Sequence, residues 1–119
     1  EEDIFVTGET LLLQMLMNNL LDNALKYSDK ETTVKVDLKK LNNKTVLKIT
    51  DEGEGIADEE KKRIFQKFYR VGSETTRKAK GTGLGLYLCK RIVHDHKGTI
   101  TVQDNVPKGS IFNVSLPAI

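Results

Sequence analysis

Three polar side chains at helical spacing form the first group that could do chemistry. Asn19, Asn23 and Lys26 stand at positions i, i+4 and i+7 of a run rich in Leu and Met, so a helix would place them on one narrow stripe. Asparagine is a mediocre helix former, and a solvated face would normally carry Glu, Lys, Gln or Arg. A carboxamide can offer an oxygen to Mg²⁺ or an amide to a phosphate oxygen, and a lysine adds a cation. The stripe is therefore either a binding surface or an ordinary polar face.

A second group follows an alternating segment that ends at Asp51, where the sequence reads DEGEGI. A carboxylate at the end of a strand can accept hydrogen bonds from an exocyclic amine such as that of adenine. The neighbouring Gly53 and Gly55 would let a flat ring approach the backbone. The alternative is a tight turn in which Asp is favoured for local hydrogen bonding. Taken alone, the segment favours the turn.

The glycine-rich stretch KGTGLGLYLCKRI, residues 80–92, leads directly into a helical pattern. A polar loop precedes it where a dinucleotide fingerprint needs a strand, and a G-x-x-x-x-G-K-[ST] phosphate loop is absent. A flexible loop that feeds a helix N-terminus remains, and unpaired N–H groups and the helix dipole favour an anion there. Basic residues ahead of it could meet phosphates or be solvated, namely Arg70, Arg77, Lys78 and Lys80.

The order of predicted elements indicates how these groups are positioned. Helices are predicted over residues 8–28 and 84–97, and a short helix is predicted with Asp58 as its N-cap. A hairpin around Asn42 and Asn43, and two closing strands around the turn NVPKG, predict an antiparallel arrangement, with IFV near the start as an edge strand. We therefore expect an α+β fold, a two-layer sandwich whose mixed, mostly antiparallel sheet is covered on one face by about three helices.

Composition limits the classes of function. The 119 residues suffice for one domain, and 38% hydrophobic and 30% charged residues are typical of a soluble globular chain. No apolar run reaches the ~20 residues that span a bilayer, and no leader peptide is visible, so direct membrane contact is not expected. A net charge of +2 is too small for a nucleic-acid footprint. The single cysteine, Cys89, fits a reducing compartment and a place in the core.

Read in this order, NNLLDNALKYS, DEGEGI, IFQKFYR and KGTGLGL resemble the motifs of the ATP-binding catalytic domain of sensor histidine kinases. That domain shares a superfamily with DNA gyrase, the MutL repair proteins and a heat-shock chaperone, and the resemblance covers about residues 6–117. It implies the Bergerat ATP-binding fold for residues 1–119, as one catalytic domain that is trimmed at its N-terminus and has a lid over residues 71–83. The implied cofactors are ATP and Mg²⁺.

The resemblance implies roles residue by residue. Asn23 is similar to the asparagine that coordinates Mg²⁺, Asn19 faces the phosphates one turn earlier, and Lys26 approaches the phosphate chain. These three are the implied catalytic residues. Asp51 resembles the carboxylate that reads the adenine amine. The other implied nucleotide contacts are Tyr27, Gly53, Gly55, Ile56, Phe65, Phe68, Arg70, Gly81, Thr82, Gly83, Leu84, Gly85, Leu86 and Ser110.

One position distinguishes the classes of enzyme in this superfamily. Gyrase-like and MutL-like members have a glutamate four residues before the metal-binding asparagine, and it activates water for hydrolysis. This chain has Asn19 there, and a carboxamide cannot take a proton at neutral pH. Such a site suits transfer of the γ-phosphoryl group to a competent nucleophile, for example a neutral imidazole. The resemblance thus implies a protein-histidine kinase, with a hydrolytic ATPase and a nucleotide-binding docking module as alternatives.

The chain departs from the family pattern in three ways. Glu52 stands where asparagine is usual, Lys97 replaces the first of two usual glycines and leaves Gly98 as the helix C-cap, and the dimerisation helix with its acceptor histidine is absent. His94 and His96 face different directions, and neither is expected to be the acceptor or a metal ligand.

The resemblance implies that the acceptor histidine lies on another domain, and it therefore implies several protein partners. They are the protein's own dimerisation and histidine phosphotransfer domain, the receiver domain of a response regulator and, for the full-length protein, a second copy in a homodimer. Nucleic acid is not an expected partner. The domain itself is expected in the cytoplasm, and a parent protein could carry a membrane anchor.

Overall fold

A computed structural model describes residues 4, 6, 8–28, 31–69 and 85–117 of the chain. Its helices and strands, in chain order, are α1 (Thr10–Tyr27), β1 (Lys35–Leu41), β2 (Lys44–Thr50), two 3₁₀ turns (Asp58–Glu60 and Arg63–Phe65), α2 (Gly85–Asp95), β3 (Thr99–Asp104) and β4 (Ser110–Pro117). Neither α-helix of the described residues is long and apolar enough to cross a membrane.

The strands of the described residues form one antiparallel sheet in the order β1–β2–β4–β3. Each predicted hairpin is present, and the two are joined side by side because β2 pairs with β4, with Ile49 opposite Phe112. Residues alternate between the two faces of a strand, so Leu47 and Ile49 are buried while Lys48 between them is exposed. This alternation leaves only one face of the sheet for the helices to cover.

The hydrophobic core lies between the helices and this face. Helices α1 and α2 run antiparallel to each other, since the Cys89 thiol lies 3.9 Å from the Leu16 carbonyl oxygen while the start of α1 contacts the end of α2. The buried core residues are Leu16, Leu20, Ala24, Leu47, Ile49, Ile64, Phe65, Cys89, Ile92, Val93, Phe112 and Val114. The predicted two-layer α+β sandwich is confirmed, as is the place of Cys89 in its core. Burial raises the pKa of the Cys89 thiol to about 12.

Two local predictions differ from the structure. The predicted short helix is a pair of 3₁₀ turns, and Ala57 rather than Asp58 stands at its N-cap position. Asp58 lies inside the first turn, where its carboxylate pairs with the ammonium group of Lys61 instead of capping the backbone. Ile4 and Val6, the described residues of the IFV stretch, lie in no strand. At Asp58 the cause is a side-chain partner, Lys61, which competes with a weak capping preference.

Helix α2 ends in a Schellman cap in which Lys97, not Gly98, takes the left-handed conformation. Lys97 has φ +63°, its N–H donates to the His94 carbonyl at 2.9 Å, and the Gly98 N–H donates to the Val93 carbonyl at 2.9 Å. The prediction that Gly98 is the C-cap is therefore wrong. A Cβ on Gly98 would overlap the carbonyl oxygen of Ser115, so glycine is required there by the close approach of β4.

Replacing Lys97 with glycine should raise the free energy of unfolding by about 1 kcal/mol, because lysine in the left-handed region carries a steric cost that glycine avoids. Urea denaturation measures this difference. Lys90→Gly is the matched control, since Lys90 lies inside α2, where glycine should instead lower stability by about 1 kcal/mol. A loss of stability in both variants would contradict the left-handed cap.

Candidate functional site

Asp51 follows the end of β2, makes three hydrogen bonds with backbone groups and is only 3% exposed. Its own N–H donates to the Ser110 carbonyl at 2.9 Å. Its Oδ1 accepts the N–H of Gly53 at 2.9 Å and the N–H of Ser110 at 3.2 Å. The hydrogen bonds that described residues make to this carboxylate thus both reach Oδ1, which leaves Oδ2 for an incoming donor. A buried carboxylate with one oriented and one open oxygen is suited to recognise an amine.

The turn between β3 and β4 approaches Asp51 so closely that only glycine fits at position 109. Gly109 has φ +107°, and an added Cβ would overlap the Asp51 carbonyl oxygen and lie 2.7 Å from its carbonyl carbon. Gly55 has φ +80°, and its Cβ would lie 3.3 Å from the Gly109 carbonyl oxygen. The glycines therefore allow backbone-to-backbone packing at the end of β2. Gly55 is among the residues predicted for the site, whereas Gly109 is not.

Asn105 is a second residue that the sequence pattern does not reveal. Its side-chain amide donates to the Asp51 carbonyl at 3.1 Å and to the Lys108 carbonyl at 3.0 Å. Its backbone N–H donates to the Gly109 carbonyl at 2.9 Å. The available signal is the turn NVPKG itself, since asparagine is favoured in turns for such side-chain-to-backbone bonds. That signal predicts a turn, but it does not say which distant carbonyl the turn contacts.

Glu52, the residue after Asp51, makes a contact of its own. Its Oε2 accepts the N–H of Thr33 at 2.8 Å. This bond joins the turn after β2 to the segment before β1. The backbone contacts of Asp51 are thus in place beside Glu52, and the Glu52 side chain adds a hydrogen bond to Thr33.

The polar stripe of α1 lies beside the start of α2. Asn19 and Asn23 are half-buried and Lys26 is exposed, while Leu20 between them is buried. The Asn19 Oδ1 is 3.8 Å from the position that a Cβ on Gly85 would take, and Gly85 is the first residue of α2. The Asn19 side chain therefore lies close to the first residue of α2, and the dipole of a helix makes its N-terminus favourable for an anion.

The two phenylalanines of the predicted aromatic motif lie in different surroundings. Phe65 is buried and packs edge-on against Phe112, with ring centroids 6.2 Å apart. Phe68 has φ +66° and is 64% exposed, and the Lys67 ammonium group lies 5.4 Å from its ring centroid and 5.9 Å from that of Tyr87. The structure thus places one ring in the core and the other on the surface.

Other predicted residues are placed as follows. Gly53 is buried beside Asp51, Ser110 contacts Asp51 through its backbone, and Leu86 packs partly buried against the core. Ile56 lines a cavity of about 480 Å³ between residues 54–57 and 104–109. Tyr27 is placed only as the last residue of α1. The residues that lie outside the described part of the chain are Arg70, Gly81, Thr82, Gly83, Leu84 and the predicted lid over residues 71–83.

No group of three or more His, Cys, Asp or Glu in the described residues could hold a metal ion. The carboxamide oxygens of the stripe are ligands of the kind that hard ions such as Mg²⁺ take together with water or phosphate. His96 is engaged elsewhere, since its Nε2 accepts the Glu9 N–H at 3.1 Å and its Nδ1 bonds the Ile92 carbonyl at 2.7 Å. This histidine joins the end of α2 to the start of α1.

Known proteins are similar to this chain in both sequence and fold. The family model described as histidine kinase-, DNA gyrase B- and HSP90-like ATPase matches residues 8–119. The sensor protein CiaH of Streptococcus pneumoniae is 44% identical over 111 residues, which cover 93% of this chain and 25% of CiaH. The sensor histidine kinase RppB of Synechocystis is 35% identical over 115 residues, which cover 97% of this chain and 25% of RppB.

A solved structure gives the same result for the fold. The mycobacterial sensor histidine kinase MprB matches with a TM-score of 0.87 and 32% identity, over 97% of this chain and 76% of that chain. The chain spans about a quarter of the length of the curated relatives that it matches.

Proposed function

Because this chain belongs to the family of histidine kinase-, DNA gyrase B- and HSP90-like ATPases, as a domain of the histidine kinase type, we propose that it binds Mg²⁺–ATP beside Asp51. We propose further that it delivers the γ-phosphoryl group to a histidine on a separate domain. The acceptor histidine belongs to a dimerisation domain outside this chain. The phosphorylated histidine then passes the group to an aspartate of a response regulator.

The observation that carries the nucleotide proposal is the geometry of the Asp51 carboxylate. Two backbone N–H groups hold Oδ1, so the direction of Oδ2 is set before any ligand arrives. The 6-amino group of adenine is a donor that Oδ2 can accept, and guanine presents a carbonyl oxygen at the same position, which a carboxylate repels. Adenine is therefore the base that this site favours. Gly53, Gly55 and Ile56 would flank the ring.

The phosphates would lie along the stripe of α1 and the N-terminus of α2. Asn23 is the proposed protein ligand of Mg²⁺, through its carboxamide oxygen, and Lys26 offsets phosphate charge. When bound, Mg²⁺ neutralises the charge that develops on the β- and γ-phosphates. The N–H groups that follow Gly85 donate to phosphate oxygens. The chain would thus act by positioning and by electrostatic stabilisation, with no covalent step of its own.

Asn19 favours phosphoryl transfer over hydrolysis. Its half-buried carboxamide lies beside the first residue of α2, in the region proposed for the phosphates. A carboxamide cannot deprotonate water, so water in this site lacks the activation that a glutamate would supply. A neutral imidazole needs no such base. We therefore propose a histidine kinase rather than an ATPase.

The same proposal includes the extent of the domain, its lid and its further contacts with the nucleotide. Residues 1–119 would form one catalytic domain in the cytoplasm, with residues 71–83 as its lid. Further nucleotide contacts would come from Tyr27, Phe65, Phe68, Arg70, Gly81, Thr82, Gly83, Leu84, Leu86 and Ser110.

Calorimetric titration of the chain with ATP and MgCl₂ tests the proposed binding. We expect a dissociation constant of about 1 mM or below, in the range that enzymes show for such substrates, and a weaker one when Mg²⁺ is removed with EDTA. Asn23→Ala should weaken Mg²⁺–ATP binding. Asn18→Ala is the matched control, because Asn18 is exposed on the same helix outside the stripe, and it should bind as the unaltered chain does. A folded chain that binds no ATP at millimolar concentration would contradict the proposal.

A further inference from the structure

We propose that Asn105 is a positioning residue for recognition of the adenine amine, and that it acts through Asp51. The proposal rests on the nucleotide function proposed above. Asn105 lies in the turn between β3 and β4, outside the four motifs on which the family resemblance depends. Asn105 itself need not contact the nucleotide, because it affects recognition through the position in which it holds Asp51.

The side-chain amide of Asn105 donates to two carbonyl oxygens. Its Nδ2 lies 3.1 Å from the Asp51 carbonyl oxygen and 3.0 Å from the Lys108 carbonyl oxygen. A group at this position must therefore donate twice, and the amide of asparagine does so. An aspartate of the same shape would put a carboxylate oxygen against two carbonyl oxygens, and an alanine would leave both carbonyls without this partner.

These bonds fix the turn against Asp51 at several points. Asn105 also donates its backbone N–H to the Gly109 carbonyl, and Gly109 packs directly on the Asp51 carbonyl. The next residue, Ser110, donates its N–H to Asp51 Oδ1 at 3.2 Å and accepts the Asp51 N–H. The position of the turn therefore decides where the Ser110 N–H lies, and that N–H orients the carboxylate.

A displaced Asp51 carboxylate would weaken recognition of the adenine amine more than recognition of the phosphates. A hydrogen bond from the 6-amino group to Oδ2 depends steeply on distance and angle. The proposed contacts between the phosphates and α1 or α2 involve neither Asn105 nor the β3–β4 turn. Loss of the Asn105 donor should therefore remove the affinity contributed by the amine and leave the affinity contributed by the phosphates.

The experiment compares two ligands in the unaltered chain, in two variants of Asn105 and in one control variant. ATP and purine riboside triphosphate, which lacks the 6-amino group, are titrated into the unaltered chain, Asn105→Asp and Asn105→Ala. Asn113→Asp is the matched control, because the Asn113 amide bonds Gln103 on the exposed face of the same sheet. The unfolding midpoint of each variant is measured alongside, so that both affinities refer to folded protein.

We expect the unaltered chain to prefer ATP over the analogue by about tenfold or more, as one hydrogen bond to a charged group provides. In both Asn105 variants the preference should fall to about twofold or less, with the affinity for the analogue nearly unchanged, while Asn113→Asp keeps the full preference. An unchanged preference, or an equal loss for both ligands, would overturn the positioning role and leave the nucleotide proposal standing. Failure of the unaltered chain to bind ATP would instead overturn the proposed function and this inference with it.

Discussion

Asp51→Asn should lower the affinity for ATP by about a hundredfold or more while the chain stays folded. An asparagine can keep its oxygen at the Oδ1 position, where the N–H groups of Gly53 and Ser110 require an acceptor. Its amide nitrogen must then occupy the Oδ2 position. A donor would face the 6-amino group of adenine, which is also a donor, so the hydrogen bond is lost and an unpaired polar group is buried.

The same variant should change which base is preferred. Inosine triphosphate presents a carbonyl oxygen in place of the amine, and the new amide can donate to it, so its affinity should rise relative to ATP. Asp37→Asn is the matched control, because Asp37 lies on β1 away from this turn and pairs only weakly with Lys35 at 4.0 Å. Isothermal titration measures the affinity of the unaltered chain, Asp51→Asn and Asp37→Asn for both nucleotides. Wild-type affinity for ATP in Asp51→Asn would show that Asp51 does not read the amine.

Gly109→Ala should lower the free energy of unfolding by about 3 kcal/mol or more, among the larger effects of a single substitution. The added Cβ would overlap the Asp51 carbonyl oxygen and lie 2.8 Å from the Cα of Glu52. These are backbone atoms, so no side-chain rotation relieves the overlap. The φ of +107° adds strain for any residue with a Cβ.

Urea denaturation of Gly109→Ala and Gly85→Ala compares a crowded glycine with an open one. A Cβ on Gly85 would meet only the Asn19 Oδ1 among the described residues, at 3.8 Å, and Gly85 is helical, so alanine there should change stability by less than about 1 kcal/mol. The folded fraction of Gly109→Ala should also bind ATP more weakly, because the displaced turn carries Ser110. Equal stability of the two variants would contradict the close packing of the turn on Asp51.

Local patterns predicted the elements of this fold well. The Leu- and Met-rich run became α1, and the alternation on either side of Asn42 and Asn43 became the β1–β2 hairpin. Such periodicities record which face of an element is buried, so they can be read without knowing the partner. Layer packing predicted a mostly antiparallel sheet covered by helices, and the structure adds that the two hairpins join through β2 and β4.

The predictions that failed were made from the type and place of one residue, without the partners that it contacts. Asp58 was predicted as a cap from its type and place, but the nearby Lys61 pairs with its carboxylate. Gly98 was predicted as the cap, but β4 approaches it, and Lys97 takes the left-handed conformation instead. In both cases the residue's type and place did not show which group it contacts: the Lys61 ammonium group for Asp58, and the Ser115 backbone for Gly98.

The candidate site was predicted only in part for the same reason. Asp51 and the glycines after it form a contiguous motif, and the sequence therefore shows them together. Asn105 and Gly109 contribute to the same site from a turn that is more than fifty positions away, and the bond from Asn105 to Asp51 spans 54 residues. Their types predict a turn, and only the pairing of β2 with β4 shows that this turn holds the carboxylate.

We propose that this domain transfers the γ-phosphoryl group to histidine and does not hydrolyse ATP, because Asn19 supplies no base for water. The most direct test links the chain to a dimerisation domain that carries an acceptor histidine. This protein is then incubated with γ-labelled ATP and Mg²⁺. We predict label on the protein that is labile in acid and stable in base, that is lost in Asn23→Ala, and that exceeds the free phosphate released. Steady release of free phosphate with no labelled protein, from a folded chain that binds ATP, would contradict the claim and identify the domain as a hydrolytic ATPase.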